Sequence, residues 1–206
     1  MTASNETRHK LLGAAMELIA QDGIQTVTHR SVEVRAGVAR GSMRYYFHTR
    51  EELLAELLGH MAELDAAVMA QAEQATPGAS LEPGVMSQDI QAQAMAAMAA
   101  GFLADPAAER ARFELLLYAS QRPELAEVVA RWRAGFVELS AAHLRAQGAP
   151  HPEAAARMVI AAMDGLILHA LTEPHSDYQA YGPAWMSLLA QVAVGFTPGS
   201  GAPSAG

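Results

Sequence analysis

THRSVEVRAGVARGSMRYYFHTR, residues 28 to 50, reads as two short helices hinged at a glycine and followed by a basic, aromatic exit. Thr28 is suited to cap the first helix, whose opening turn is His29, Arg30 and Ser31, because a side-chain oxygen there can accept from an orphaned backbone N–H. Gly37 can take the left-handed conformation that ends this helix after Ala36. Val32 and Ala36 are four apart on the first helix, Met43 and Phe47 four apart on the second, and Val38 sits in the turn. One narrow apolar seam can therefore lock the pair. The outward side then carries Arg40, Gly41, Arg44 and Tyr45, with Ser42 beside them: guanidinium forks for guanine edges or phosphates, a hydroxyl and an aromatic tip. A second helix with that face fits the major groove of duplex DNA. Two helices joined through an Ala-Gly-Val turn also occur in purely structural settings. A structural helix, however, does not ordinarily expose two arginines and a tyrosine within six residues and follow them with Tyr46, His48 and Arg50.

Charge is divided along the chain in the same sense. Residues 1–50 hold seven Lys or Arg against four acids, a net of +3, and the other 156 residues carry a net of −11, giving −8 overall. Such a split turns a basic wing toward a polyanion while the bulk is repelled, which favours an oriented approach.

At 206 residues the chain can bury a sizeable core in one domain or two small ones, and half its residues are apolar. Cysteine is absent, which excludes disulfide scaffolds, thiol nucleophiles and cysteine-ligated zinc. The polar start MTASNETRHK is no secretory signal, and the longest uninterrupted apolar run, Ala94 to Ala104, is well short of the ~20 residues of a membrane helix. A soluble cytoplasmic protein with no membrane role is expected.

Helix signals recur throughout and no convincing alternating strand appears, so the predicted fold is all-α. Leu11, Ala15, Leu18 and Ile19 form the buried stripe of the first helix, which Gly23 ends with Ile24 tucked behind. A long fourth helix is predicted from about Arg50 to Ala75, spanning ~38 Å at 1.5 Å per residue. TPGASLEPGVMS, residues 76 to 87, is a proline- and glycine-rich break. Pro106, Pro123 and Pro152 suit first helical positions, so helices begin near each, and Gly148 closes the one starting at Pro123.

The run from the first helix through VTHRSVEVRAGVARGSMRYYFHTREELL, roughly residues 7 to 58, resembles the N-terminal domain of the TetR family of ligand-responsive transcriptional regulators. Its core is AGV, a small residue pair, YYF, a basic residue and EELL. The resemblance implies that Thr28, Ala39, Arg40, Ser42, Tyr45 and Tyr46 face bases or phosphates, and that Arg50 anchors the next helix to the DNA backbone. Together with the residues read directly, the expected DNA-binding set is Thr28, His29, Arg30, Ala39, Arg40, Gly41, Ser42, Arg44, Tyr45, Tyr46, His48 and Arg50. Three positions depart from the family's pattern: Arg44 replaces a tyrosine, Arg50 a lysine, and Glu33 a small buried alanine. The first two keep or strengthen phosphate binding. A carboxylate at a packed position is costly unless paired, so Glu33 is expected to lean outward toward Arg30 or Arg35.

The resemblance further implies two domains: residues 1–50 for DNA binding and 51–197 for ligand binding and dimerisation, followed by a small-residue tail, 198–206, expected to be disordered. Two final helices, about 152–172 and 178–196, are more apolar than one buried face requires. Met158, Ala162, Gly165, His169, Trp185 and Leu189 are the candidate dimer interface, since TetR-like proteins pair through these helices. One reading head also covers too few base pairs alone. The candidate ligand-binding residues are Met98, Phe102, Phe113, Tyr118, Trp132, Phe136 and Met163, which together with Met95 supply adaptable apolar bulk in the middle helices. Arg112, Tyr118, His143, Asp164 and His169 are polar groups that could orient a ligand or serve the structure alone.

Catalysis finds no spacing to support it: there is no HExxH, no GxSxG elbow, no phosphate-cradling glycine loop and no metal-ligand cluster. No catalytic residue, metal or cofactor is expected. The partners expected are a double-stranded DNA operator, a second copy of the chain and an unidentified small molecule. The function read from the sequence is a dimeric repressor released from its operator by that ligand. The competing reading is an all-helical small-molecule binding protein or enzyme with no DNA role.

Overall fold

A computed structural model describes residues 3–80 and 87–173, and every regular element among them is helical. In chain order these are α1 (Ala3–Asp22), a 3-10 turn (Ile24–Thr26), α2 (His29–Ala36), α3 (Ser42–Tyr46), α4 (Arg50–Ala75), α5 (Gln88–Leu103), α6 (Pro106–Ser120), α7 (Pro123–Ala146) and α8 (Pro152–Thr172). The punctuation read from the sequence is where the helices turn. Gly23 follows α1 with φ +88°, and Gly148 has φ +80° after α7. Pro106 opens α6 behind Asp105, whose carboxylate accepts from Ala107 N at 3.1 Å and Ala108 N at 3.0 Å. That satisfies two of the amides a helix start leaves without partners. The predicted helix over 178–196, with Trp185 and Leu189, and the tail from 198 lie outside the described residues.

The chain packs as two compact units. Of the described residues, the first joins those up to 68 to 101–134, and the second joins those between 69 and 100 to those from 135 onward. The boundary expected after residue 50 is therefore not a packing boundary. Its physical reason is the first unit's core: Leu11, Leu12, Ala15 and Ile19 of α1 meet Val32, Met43 and Phe47, and also Leu53, Leu54, Leu57 and Leu58 of α4 and Leu115 and Ala119 of α6. All of these side chains are essentially inaccessible. Each buried leucine contributes about 1.5–3 kcal/mol, so α4 and α6 supply apolar surface that the first fifty residues lack. Gly101 permits a close approach within this unit, since a β-carbon there would lie 2.8 Å from Cγ1 of Val68.

In the second unit, a cluster of small side chains, Ala141, Ala149, Ala155 and Ala156, packs with Leu144, Val137 and Val159. Gly78, at φ +84°, turns the chain after α4. α8 is long and apolar enough to cross a membrane by length and composition alone, yet little of that stretch is buried. α4, α5 and α7 contribute residues to both units.

Candidate nucleic-acid interface

Thr28 and Ser31 fix the start of α2 reciprocally: Ser31 N donates to Thr28 Oγ1 at 3.1 Å, and Thr28 N donates to Ser31 Oγ at 2.9 Å. This is a capping box with serine in the place of the usual Glu or Gln. Gly37 ends the helix in the left-handed region, φ +64° and ψ +31°, its N–H donating back to the carbonyls of Glu33 and Val34. Gly41, at φ +92°, turns the chain again into α3. Gly41 thus belongs to the turn, and the second helix is only the five residues Ser42–Tyr46. The apolar seam is formed, with Val32, Met43 and Phe47 buried and Ala36 and Val38 packed against them.

Glu33 does not lean outward. It is buried, at 7% exposure, and its Oε1 accepts from Gly41 N at 2.8 Å and Met43 N at 3.0 Å. The expectation of a partner in Arg30 or Arg35 was incorrect because the turn brings two helix-start amides to the carboxylate. A buried carboxylate is tolerated when such donors satisfy it. Arg35 pairs instead with α1, 3.2 Å from Asp22 and 3.6 Å from Glu17.

Of the twelve residues expected on the DNA face, Thr28, Arg30, Ala39, Arg40, Gly41, Arg44, Tyr45 and His48 are exposed. His29, Ser42, Tyr46 and Arg50 are half-buried. Tyr45 is 77% exposed and meets Tyr46 edge to face, ring centroids 5.0 Å apart. His29, Arg30, Arg40, Gly41 and Arg44 line one shallow depression together with Val34, Val38 and Glu33. Arg30, Arg40 and Arg44 make no ion pair or hydrogen bond among the described residues. Arg50 is placed differently. Its Nε donates to Val27 O at 2.8 Å and its Nη2 to Ile24 O at 2.6 Å, while Nη1 donates to the Tyr118 hydroxyl. Its position ties the start of α4 to the segment that enters α2. Glu52 holds the exit of the reading head by accepting from His48 N at 2.7 Å. That backbone hydrogen bond is the main reason its carboxyl titrates below the ordinary glutamate range.

The seven apolar ligand candidates do not share one site. Phe102, Phe113, Tyr118 and Trp132 belong to the first unit. There Arg112, buried, sits 5.2 Å from the ring centre of Phe102, 5.3 Å from Trp132 and 5.9 Å from Phe113, and 3.1 Å from Glu109. Tyr118 is stacked under Arg122, 3.3 Å from its ring centre. These rings hold structural cations. Phe136 and Met163 lie in the second unit but line no part of its cavity, whereas Met98 does.

That cavity, of about 150 Å³, is walled by Met69, Met95, Met98, Ala72, Ala94, Leu139, Leu144 and Val159, with Glu73, Gln91, Ser140 and His143 as polar neighbours. The His143 ring is held between the carbonyl oxygens of Leu139, 3.0 Å from Nδ1, and Ser80, 2.8 Å from Nε2. Of this wall the sequence reading singled out only Met95, Met98 and His143 as ligand-facing, because its residues come from α4, α5, α7 and α8 and share no local pattern. Of the candidate interface on α8, Met158, Ala162 and Gly165 are half-buried. His169 is exposed, 3.5 Å from Glu173. No group of three or more metal-ligating side chains gathers among the described residues.

Residues 11–57 match the family described as bacterial regulatory proteins, tetR family, and residues 87–194 match the tetracyclin repressor-like C-terminal domain. An uncharacterized HTH-type transcriptional regulator, TtgW, of Pseudomonas putida is 32% identical over 65 residues, or 30% of this chain. That match spans about half, 48%, of the relative's length. A TetR-family member from Streptomyces coelicolor A3 superposes with a TM-score of 0.71 at 28% identity, covering 89% of this chain and 98% of that one. The multidrug binding protein EbrR in complex with malachite green gives 0.65 at 27% identity, covering 88% and 96%. A buried helix-turn-helix seam, an exposed cationic second helix and matches over both segments lead to one conclusion: the chain belongs to the TetR family of transcriptional regulators.

Proposed function

We propose that the protein is a homodimeric repressor that grips a duplex operator through the α2–α3 heads and leaves it when a small apolar molecule occupies the second unit. The observation that carries the DNA-binding part is the placement of Arg30, Arg40 and Arg44. They line one depression, exposed and unpaired among the described residues, next to an α3 whose own apolar side is buried in the core. Arg44 anchors on phosphate while Arg40 reads base edges. Arg50 supports the head through Ile24, Val27 and Tyr118, and keeps only its remaining N–H groups for phosphate.

Dimerisation is supported by α8, which leaves Leu168 46% exposed and offers open space beside Gly165, where an added β-carbon meets nothing within 4 Å. Small residues on an apolar helix suit close self-packing. The effector part is supported by the methionine-walled cavity, whose 150 Å³ suits an apolar group of about benzene's size. Malachite green and ethidium complexes of EbrR are consistent with small-molecule binding on this fold. Ligand-induced loss of operator affinity would follow from differential binding, typically ~5- to 150-fold.

A gel-shift assay at low salt tests the DNA reading. Retention of random duplex is expected, with tighter retention of a duplex selected by the protein from a random pool. If each copy neutralises about four phosphates, log affinity should fall with log salt at a slope of roughly −7 for the dimer. No retention at any salt would leave a small-molecule binding protein as the reading. Sedimentation of the full chain is expected to give a dimer, and a monomer would remove the paired heads.

A further inference from the structure

We infer that Glu33 is a positioning residue for operator recognition: it sets where the reading helix begins. This rests on the DNA-binding reading above. α3 has five residues, barely more than one turn, far too short to hold itself. Helix-start amides have no partners within the helix, and here three of them are held. Ser42 N donates to Ala39 O at 3.1 Å, while Gly41 N and Met43 N both donate to the Glu33 carboxylate. The backbone carbonyl of the same residue accepts from Val38 N at 3.1 Å. With Gly37 N–H, which donates to the same carbonyl, one residue of α2 therefore receives four amides from the turn and helix that follow it.

The consequence falls on two side chains. Arg40 immediately precedes the first amide held by the carboxylate, and Arg44 immediately follows the second. Gly41, at φ +92° with nothing within 4 Å of an added β-carbon, gives the turn no steric restraint of its own. Without the carboxylate, the start of α3 loses its register while Met43 and Phe47 still anchor its inner side. Base-edge hydrogen bonds are strict in geometry, whereas phosphate attraction tolerates displacement. Loss of the Glu33 acceptor therefore erodes discrimination among sequences more than it erodes affinity for DNA in general.

The test compares Glu33→Ala, Glu33→Asp and Glu33→Gln in the full chain, each titrated with the wild-type-selected duplex and with random duplex over a salt series. Glu33→Ala and Glu33→Asp are expected to lose about tenfold in the ratio of selected to random affinity, with the salt slope unchanged. Glu33→Gln keeps an acceptor of the same length and is expected to retain the ratio within about threefold. Where Glu33→Ala does not fold, the Asp and Gln variants carry the comparison, since both keep a polar group. Equal losses on both duplexes would overturn the inference, making Glu33 a contributor to stability alone. A Gln variant as impaired as Asp would overturn the acceptor assignment. If the wild type discriminates and every variant does too, Glu33 alone loses its role. If the wild type retains no duplex, the DNA reading itself fails and this role with it.

Discussion

Among the described residues, the two units are built from different kinds of apolar side chain. The first is filled by leucines, Phe47 and Ile19 at essentially zero exposure. In the second, alanines pack with a leucine and two valines, and methionines wall a cavity of about 150 Å³. Branched side chains at native density hold one geometry. Methionine, unbranched and polarizable, fills irregular space and repacks at low cost. The first kind of interior suits the proposed role of presenting guanidinium groups at fixed spacing, and the second suits the proposed role of accepting a foreign molecule.

The contrast can be broken by truncation. Leu57→Ala is expected to cost about 3–4 kcal/mol of unfolding free energy by chemical denaturation. Met98→Ala, in a wall that already borders a void, should cost less than half of that; equal losses would mean the two interiors are equally tight. On the surface, Arg44→Ala should weaken binding to every duplex by about 1–3 kcal/mol and reduce the salt slope by roughly 1 per head. Arg40→Ala should instead relax preference at particular base pairs, and matching profiles for the two would erase the division into anchor and reader. Filling the cavity with Ala94→Leu should stabilise the fold by about 0.5–2 kcal/mol, while DNA retention persists and any effector-induced release is lost. Release that survives the filled cavity would place the effector elsewhere. The smallest effect is expected from Thr28→Ala, about 1 kcal/mol in thermal denaturation from the lost cap.

Much of the fold was legible because its determinants are local. The α1 stripe, Thr28, Gly37, Pro106 and Gly148 each act within a few residues of themselves, and each stands where the pattern predicted. Glu33 was misread because its partners are eight and ten residues away, across a turn whose shape must be known first. Arg50 and Tyr118 are 68 residues apart, and no spacing rule joins them. The aromatic residues illustrate a different limit of local pattern. Phe102, Phe113 and Trp132 look like adaptable ligand surface in sequence, yet they surround Arg112. The cationic face of α2 and α3, by contrast, could be read because its apolar complement, Val32, Met43 and Phe47, is written at helical intervals beside it.

The left-handed turn at residue 41 also limits how this regulator can drift toward new targets. Only a residue without a β-carbon adopts that backbone at no cost, so the position is closed to substitution although it faces open solvent. Under the proposed DNA reading, divergence in operator preference falls to neighbours such as Arg40, Ser42, Arg44 and Tyr45, a vocabulary arranged around one silent character.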